Sequence, residues 1–561
     1  MSYADRGLPR RVTTLSQFGG DTRGTVAIVF GITASMLMFA AGAAIDYSGA
    51  TSIRDKLQRA TDGADLRLCQ MPGTTTNPQL AAAATKSMDG FMGGTAFKVD
   101  AVTTTSDPRS ITLSTSATYA LTLSRIWKSE MTELPVTATA RCDTVGTPVE
   151  IALVLDTTYS MLTKSGSTSK LDILKQAATD FVNTIYSTAR TSNSKIALVP
   201  FSFTASVNPT TYRGASWIDQ NAKASTHWNL FKSPGATQAA ASSFKNRFDI
   251  FTKLKAANSS WDWNGCFESL PYPYNVSDAA PTPSAPDSYF VPMLAPDESG
   301  DGGEFKHGSV QSSNSYIDDD NSVSGCGNTT DETVRSQRAC KYASPTGAKT
   351  WNGTYTTGPN FSCKSRPLTR LTTDKSMLLN EINQLTADGN TNIHEGLLWG
   401  WRTISPNSIF ADGEPYNSTS STKIAILMTD GYNYWMSVPT ATLNSFYSAY
   451  GFYKNPDGST PNGKLPPVYA NPSDDTSARK AIDAMTLETC KNMKASPNNI
   501  VIYTIGFSIP NDPIDSQGLA MLQSCASSSD KALVASSADG LKTAFQDIAG
   551  KLGALQLRLT K

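Results

Sequence analysis

A chain of 561 residues with 48 basic and 48 acidic side chains has room for two to four domains and carries no global field. That balance, with no basic stripe along the chain, excludes a nucleic-acid binder. Charged residues make up only 17%, and Ser, Thr, Asn and Gly are plentiful, a balance that suits a protein outside the cytoplasm.

The eight cysteines, Cys69, Cys142, Cys266, Cys326, Cys340, Cys363, Cys490 and Cys525, are even in number, scattered and never in a CxxC pair. Disulfides in an oxidising compartment are therefore expected rather than a zinc site. Proximity in sequence pairs Cys69 with Cys142, Cys326 with Cys340 and Cys490 with Cys525, which leaves Cys266 with Cys363.

Residues 1–23 form a polar leader with Arg6, Arg10, Arg11 and Arg23, and residues 24–45 carry no charge. As a helix that apolar run rises about 33 Å, enough to cross a bilayer. A cleaved signal peptide is the competing reading, with Ala40 to Ala44 as its cleavage region. The length of the run and of the leader favours an uncleaved anchor. Arg23 abuts one end and the next basic residue is Arg54, so the N-terminus is expected in the cytoplasm and the rest outside. Beyond the membrane Ile53, Leu57, Ala60, Ala64 and Leu68 continue at helical spacing. A short helix over Asn77 to Met92 and a small sheet from Phe97 to Arg141 complete an expected pilin-like α+β region at 46–147. The pattern RGTVAIVF followed by AAIDYSGATSIRDKLQRATDGADLRLC resembles the TadE/TadG-like proteins of the tight-adherence (Flp) pilus system. Substrates of prepilin peptidase usually carry Glu five residues after the processed Gly, and here that position is Val29, which favours a permanent anchor.

The second domain opens with IALVLDTTYSM, Ile151 to Met161. Five apolar residues run into Asp156, as in a buried strand, and Thr158 and Ser160 follow at alternate positions. One carboxylate and two hydroxyls on so short a loop suit a hard divalent cation such as Mg²⁺, with Mn²⁺ and Ca²⁺ as alternatives. The amphipathic helix KLDILKQAATDFVNTIY and the strand SKIALVPF come next, a βαβ pattern that implies a parallel sheet. From 205 to 365 the pattern breaks into Pro, Ser, Asn, Gly and aromatics with four cysteines, read as a disulfide-stapled insertion on the metal face of the sheet. Its acidic residues Asp297, Glu298, Asp301, Glu304 and Asp318 to Asp320 have no EF-hand spacing and are expected as a solvated loop rather than a Ca²⁺ site.

The sheet pattern resumes after Cys363 with the helix DKSMLLNEINQL, then ADGNTNIHEGLLWGW, where Thr391 precedes a helix, and TKIAILMTDG, a strand ending in Asp430. Residues 438–472 read as a polar loop insertion, and helix, strand, strand, helix close the domain, with LQLRLTK as an end strand or tail. Loops beyond the carboxyl ends of strands meet at one edge of such a sheet. The order D-x-T-x-S, Gly-x-Thr before a helix and strand-Thr-Asp-Gly resembles the von Willebrand factor A domain with its metal-ion-dependent adhesion site (MIDAS). That resemblance implies a Rossmann-like α/β fold over 148–204 and 366–561. It implies that Thr158, Ser160 and Thr391 ligate a cation and that Asp156 and Asp430 hold it largely through water. PLTRLTTDK, GNTNIHEGLLWGW and the C-terminal tail again resemble TadG.

No HExxH, GxSxG, P-loop or GxGxxG pattern stands out, and the three histidines are dispersed, so no enzyme is expected. The expectation is a single-pass protein of the bacterial inner membrane, anchored through 24–45 with its bulk in the periplasm. It would bind other pilus or envelope proteins through the cation; a surface adhesin for host or matrix protein is the alternative.

Overall fold

In the computed structural model the described residues are 24–69, 71, 75–105, 110–122, 130, 132–143, 148–187, 194–231, 244–304, 306–307, 310–319, 330–331, 338–349, 357–418, 421–441, 443–454, 463–554 and 558–559. The chain forms two compact units, residues 1–145 with 557–561, and residues 146–556.

In the first unit one helix, α1 (Gly24–Cys69), runs unbroken through 46 residues. Its N-terminal half is long and apolar enough to cross a membrane and keeps its large side chains outward, Phe30 at 71% and Leu37 at 70% exposure. Its C-terminal half turns Leu57, Ala60, Ala64 and Leu68 into a core with α2 (Asn77–Met92) and the sheet β1 (Phe97–Thr104), β2 (Ser110–Ala120) and β3 (Glu133–Asp143). Neighbouring strands are antiparallel. The Cys69–Cys142 disulfide ties the helix end to β3. The end of the chain, assigned on sequence to the second domain, belongs here: Arg558–Leu559 pairs with β3, which leaves a sheet edge open to receive it.

The second unit is built on a six-stranded sheet. β4 (Val149–Asp156) is central, followed by α3 (Lys170–Ser187), β5 (Lys195–Phe201), α4 (Arg247–Ala257), β6 (Thr369–Thr372), α5 (Lys375–Asn383), α6 (Ile393–Ile404), β7 (Thr422–Thr429), α7 (Asp475–Lys494), β8 (Val501–Phe507), α8 (Ser516–Cys525), β9 (Ala532–Ala535) and α9 (Ala538–Ala554). The strand order is β6-β5-β4-β7-β8-β9; β6 is antiparallel and every other neighbouring pair parallel. Every residue of β4 is buried, because helices cover both faces. Alternate side chains of the strand divide the core: Ile151, Leu153 and Leu155 pack with α3, α5 and α9, and Ala152 and Val154 pack with α6. Gly400 of α6 lies so close to β4 that a Cβ would stand 2.4 Å from Val154.

The insertion is not an appendage. Its aromatics, among them Trp261, Trp263, Phe267 and Phe290, share one core with Ala152, Val154, Trp399 and Trp401 on the α6 face. Residues 438–472, expected as a polar loop, bury Phe446, Tyr447, Tyr450, Phe452 and Tyr453. The two insertions are locked by a buried ion triad in which Glu268 accepts from Arg247 at 2.5 Å and pairs with Lys464. Burial alone would raise the Glu268 carboxyl, but the two cations hold it down to about 2. Cys490–Cys525 is bonded as sequence proximity paired it, and Cys266–Cys363 is the pair that proximity left over. Cys340 is also in a disulfide, while its expected partner Cys326 lies outside the described residues.

The acidic stretch is where the solvated-loop expectation fails. Asp297, Glu298 and Asp319 are buried, with Lys341 bonded to Asp297 at 2.6 Å. Glu298 accepts from Ser313 N at 2.8 Å and Ser313 Oγ at 2.6 Å, and burial pushes its carboxyl up to about 7.

Two outcomes follow. Glu268→Gln leaves Arg247 and Lys464 buried without a carboxylate and should cost about 3–5 kcal/mol in urea unfolding. Glu298 takes up its proton more readily folded than unfolded, so its contribution is present at pH 4.5 and lost as pH rises through about 7. Wild type should lose about 1.4 kcal/mol per pH unit across that window through this group, and Glu298→Gln should flatten the slope in thermal unfolding at pH 5, 6 and 7.

Candidate metal centre

Chain connections run from β4 outward to β5 and β6 on one side, and from β7 outward to β8 and β9 on the other. The reversal falls between β4 and β7, and in open α/β sheets ligands bind beyond the carboxyl ends of strands at such a point. Parallel pairing sets Leu155 opposite Met428, so Asp156 stands level with Thr429 and Asp430 lies one residue further. Thr429 Oγ1 donates to Asp156 Oδ2 at 2.6 Å.

The loop after β4 folds back at once. Thr158 N and Oγ1 donate to Asp156 Oδ1 at 2.8 and 2.5 Å, and Tyr159 to Leu162 form a single 3₁₀ turn. The loop before α6 is laced to it by two backbone bonds, Tyr159 N to Gly389 O at 2.9 Å and Asp388 N to Thr157 O at 3.0 Å. Gly389 has φ +84°, and a Cβ there would stand 2.7 Å from the Phe203 ring, so glycine is required. Asn392 caps α6 by accepting from Glu395 N and anchors to Phe203 O at 2.9 Å. Tyr434 N donates to Thr391 O at 2.9 Å, which brings in the loop after β7.

These ties bring all five residues singled out in the sequence into one cluster. Thr391 Oγ1 lies 3.3 Å from Thr158 Oγ1, Thr158 Oγ1 lies 3.0 Å from Ser160 Oγ, and Ser160 Oγ donates to Asp430 Oδ1 at 2.7 Å. The cluster floors an open pocket of about 290 Å³ lined by Tyr159, Asn390, Tyr432, Tyr434, Asp512 and Pro513 among others. Tyr159 is 69% exposed on its rim. Among the described residues, none of 205–365 lines the pocket.

Burial first, and the Asp430 charge second, push the Asp156 carboxyl up to about 7, against the bonds from Thr158 and Thr429. Asp430 is also raised, chiefly by burial, with Lys170 opposing. Sequence reasoning missed three participants. Lys170, the first residue of α3, bonds Asp430 Oδ2 at 2.8 Å and Asp512 Oδ2 at 2.7 Å, and Thr429 supports Asp156. Asp512 lies beyond the end of β8 at Phe507 and not directly on it, so it had a weaker strand-end signal than Asp430. Lys170 opens an amphipathic helix whose pattern marks only the apolar face.

Two carboxylates and three hydroxyls, with no sulfur or imidazole among them, form a donor set for a hard oxygen-seeking cation. Burial and the Asp430 charge both disfavour an ionised Asp156, and a divalent ion at the cluster would offset that repulsion. On both grounds the residues fit Mg²⁺.

No protein-family model and no curated protein matches the sequence. Among solved structures, the pilus adhesin SpaC from Lactobacillus rhamnosus GG superposes at TM-score 0.32 and 12% identity over 82% of this chain and 34% of its own. This chain thus spans about a third of that protein's length. The vWF domain of the type V pili tip protein Mfa5 from Porphyromonas gingivalis gives 0.30 and 12% over 72% of this chain and 95% of its own. BatB from Bacteroides thetaiotaomicron gives 0.26 and 10% over 72% and 98%. Likeness at this level carries no argument about this chain.

Asp156→Asn removes a charge from the cluster while keeping its shape. Wild type should melt several degrees higher in Mg²⁺ than in EDTA, since a ligand at 100 times its Kd adds about 2.7 kcal/mol. Asp156→Asn should melt at the same temperature in both.

Proposed function

We propose that this chain is a membrane-anchored envelope protein that recognises a partner protein through a divalent cation held at the β4–β7 edge of its sheet. The observation that carries the proposal is the unbroken run of hydroxyls and carboxylates from Thr391 to Asp430 beneath an open pocket. A partner carboxylate would complete the cation, and the loops bearing Tyr159, Tyr432 and Tyr434 would supply specificity. The cluster holds neither a histidine nor a general base paired to Ser160, whose hydroxyl bonds a carboxylate already neutralised in part by Lys170. We therefore read the site as one of binding rather than catalysis.

The assignment to the Flp/Tad pilus apparatus rests on the TadG-like pattern RGTVAIVF and its continuation. Attachment to the inner membrane through residues 24–45, with the bulk in the periplasm, rests on the exposed apolar half of α1 and the position of Arg23. In this reading the cation contact couples the envelope to the pilus during assembly or anchoring. A surface adhesin that binds host or matrix protein by the same cluster is the second reading, favoured by one observation: an apolar helix near the N-terminus also serves as a cleaved signal.

Cross-linking in cell envelopes, with mass spectrometry of what is captured, tests the proposal. Wild type in Mg²⁺ should capture a pilus or envelope protein. Chelator or Asp156→Ala should reduce that capture at least tenfold, a loss of about 1.4 kcal/mol or more. Equal capture in all conditions removes the cation from the mechanism. Cleavage of the second unit by protease added to intact cells would favour the adhesin.

A further inference from the structure

We propose that Lys170 is an internal counter-ion that competes with the external cation for Asp430, and so sets how much free divalent metal the site requires. The inference rests on the cation reading above and concerns a residue outside the expected ligand set.

A lysine is almost never fully buried unless it is paired. Lys170 is fully buried and spends two of its three N–H donors on carboxylates, Asp430 at 2.8 Å and Asp512 at 2.7 Å. The two partners differ. The Asp430 side chain is 0% exposed and faces Ser160 with its other oxygen, whereas that of Asp512 is 38% exposed. Lys170 N also donates to Thr163 O at 2.9 Å, tying the helix start to the residue that follows the turn of Tyr159 to Leu162. The ammonium is thus built into the same loop and helix start as the hydroxyls.

The charge count explains its presence. Asp156, Asp430 and Asp512 bring three carboxylates to this edge, and Lys170 brings an ammonium bonded to two of them, Asp430 and Asp512. Without metal, that ammonium is the positive charge bonded to Asp430, one residue past the level of Asp156. With metal on the Oδ1 side of Asp430, the same ammonium repels the incoming charge across a single carboxylate in a poorly solvated setting. Asp512, at the end of a short turn closed by its N–H to Ile509 O at 3.1 Å, remains a partner for the lysine when Asp430 turns to the cation. The device exchanges affinity for a folded edge in the absence of metal.

The test uses full-length protein in detergent, with Mn²⁺ as probe. Mn²⁺ affinity is measured by calorimetry or, where a variant folds only with metal, by competition with a chelator. Melting temperature is recorded in EDTA and in Mn²⁺. Lys170→Met should bind Mn²⁺ about tenfold or more tightly than wild type, melt lower in EDTA and regain the loss in Mn²⁺. Lys170→Arg, which keeps the charge, should stay within about threefold of wild type. A merely structural lysine would lower stability in both buffers and leave the affinity unchanged. Equal or weaker binding by Lys170→Met overturns the counter-ion role while leaving the cation site standing. Absence of Mn²⁺ binding in wild type and both variants overturns the cation reading and this inference together.

Discussion

Two carboxylates from adjacent strand ends, Asp156 and Asp430, are held close together and out of water, and the second unit is arranged around that repulsion. In a low-dielectric setting like charges at short range cost several kcal/mol unless something answers them. Here the answer is distributed: Thr158 and Thr429 bond Asp156, Ser160 bonds one oxygen of Asp430, and Lys170 takes the other. The contributors come from three stretches of chain, so the loop after β4, the start of α3 and the end of β7 must be in place together.

The insertions support that edge through α6. Their aromatic core continues the packing of α6 on the sheet, and α6 is the helix whose N-terminal loop delivers Thr391. The buried triad of Arg247, Glu268 and Lys464 joins the two insertions across 196 residues between Glu268 and Lys464. His394, just inside α6, bonds Tyr450 at 2.8 Å and the Asn275 carbonyl at 2.8 Å, so both insertions also grip the start of that helix. Burial lowers the histidine's affinity for protons, which suits a neutral ring fixed by two partners. Position at the site is therefore set by elements far from it in sequence.

In the first unit a single helix meets two environments. Where no protein covers it, large apolar side chains stand outward; where α2 and the sheet cover it, the apolar positions are Leu57, Ala60, Ala64 and Leu68 on one stripe. Ala60 and Ala64 on the covered stripe let α2 and the strands pack closely against it.

Much of this was legible before any coordinates. Strands, helices and the five oxygen donors were readable because buried parallel strands are continuous apolar runs and their ends are where hydroxyls and carboxylates gather. Disulfide pairing followed proximity for Cys69–Cys142 and Cys490–Cys525, and Cys266–Cys363 is the pair left over. What the sequence could not reveal were contacts without periodicity. The burial of Asp297, Glu298 and Asp319 depends on Lys341 and Ser313 arriving from elsewhere in the insertion. The pairing of Arg558–Leu559 with β3 depends on a free edge more than 400 residues earlier in the chain. Lys170 was invisible as a site residue, since a lysine at a helix start reads as solvated until Asp430 and Asp512 are brought to it. Local pattern determined which residues end strands; only the tertiary structure decided which of those ends face one another, because charge is compensated through space and not along the chain.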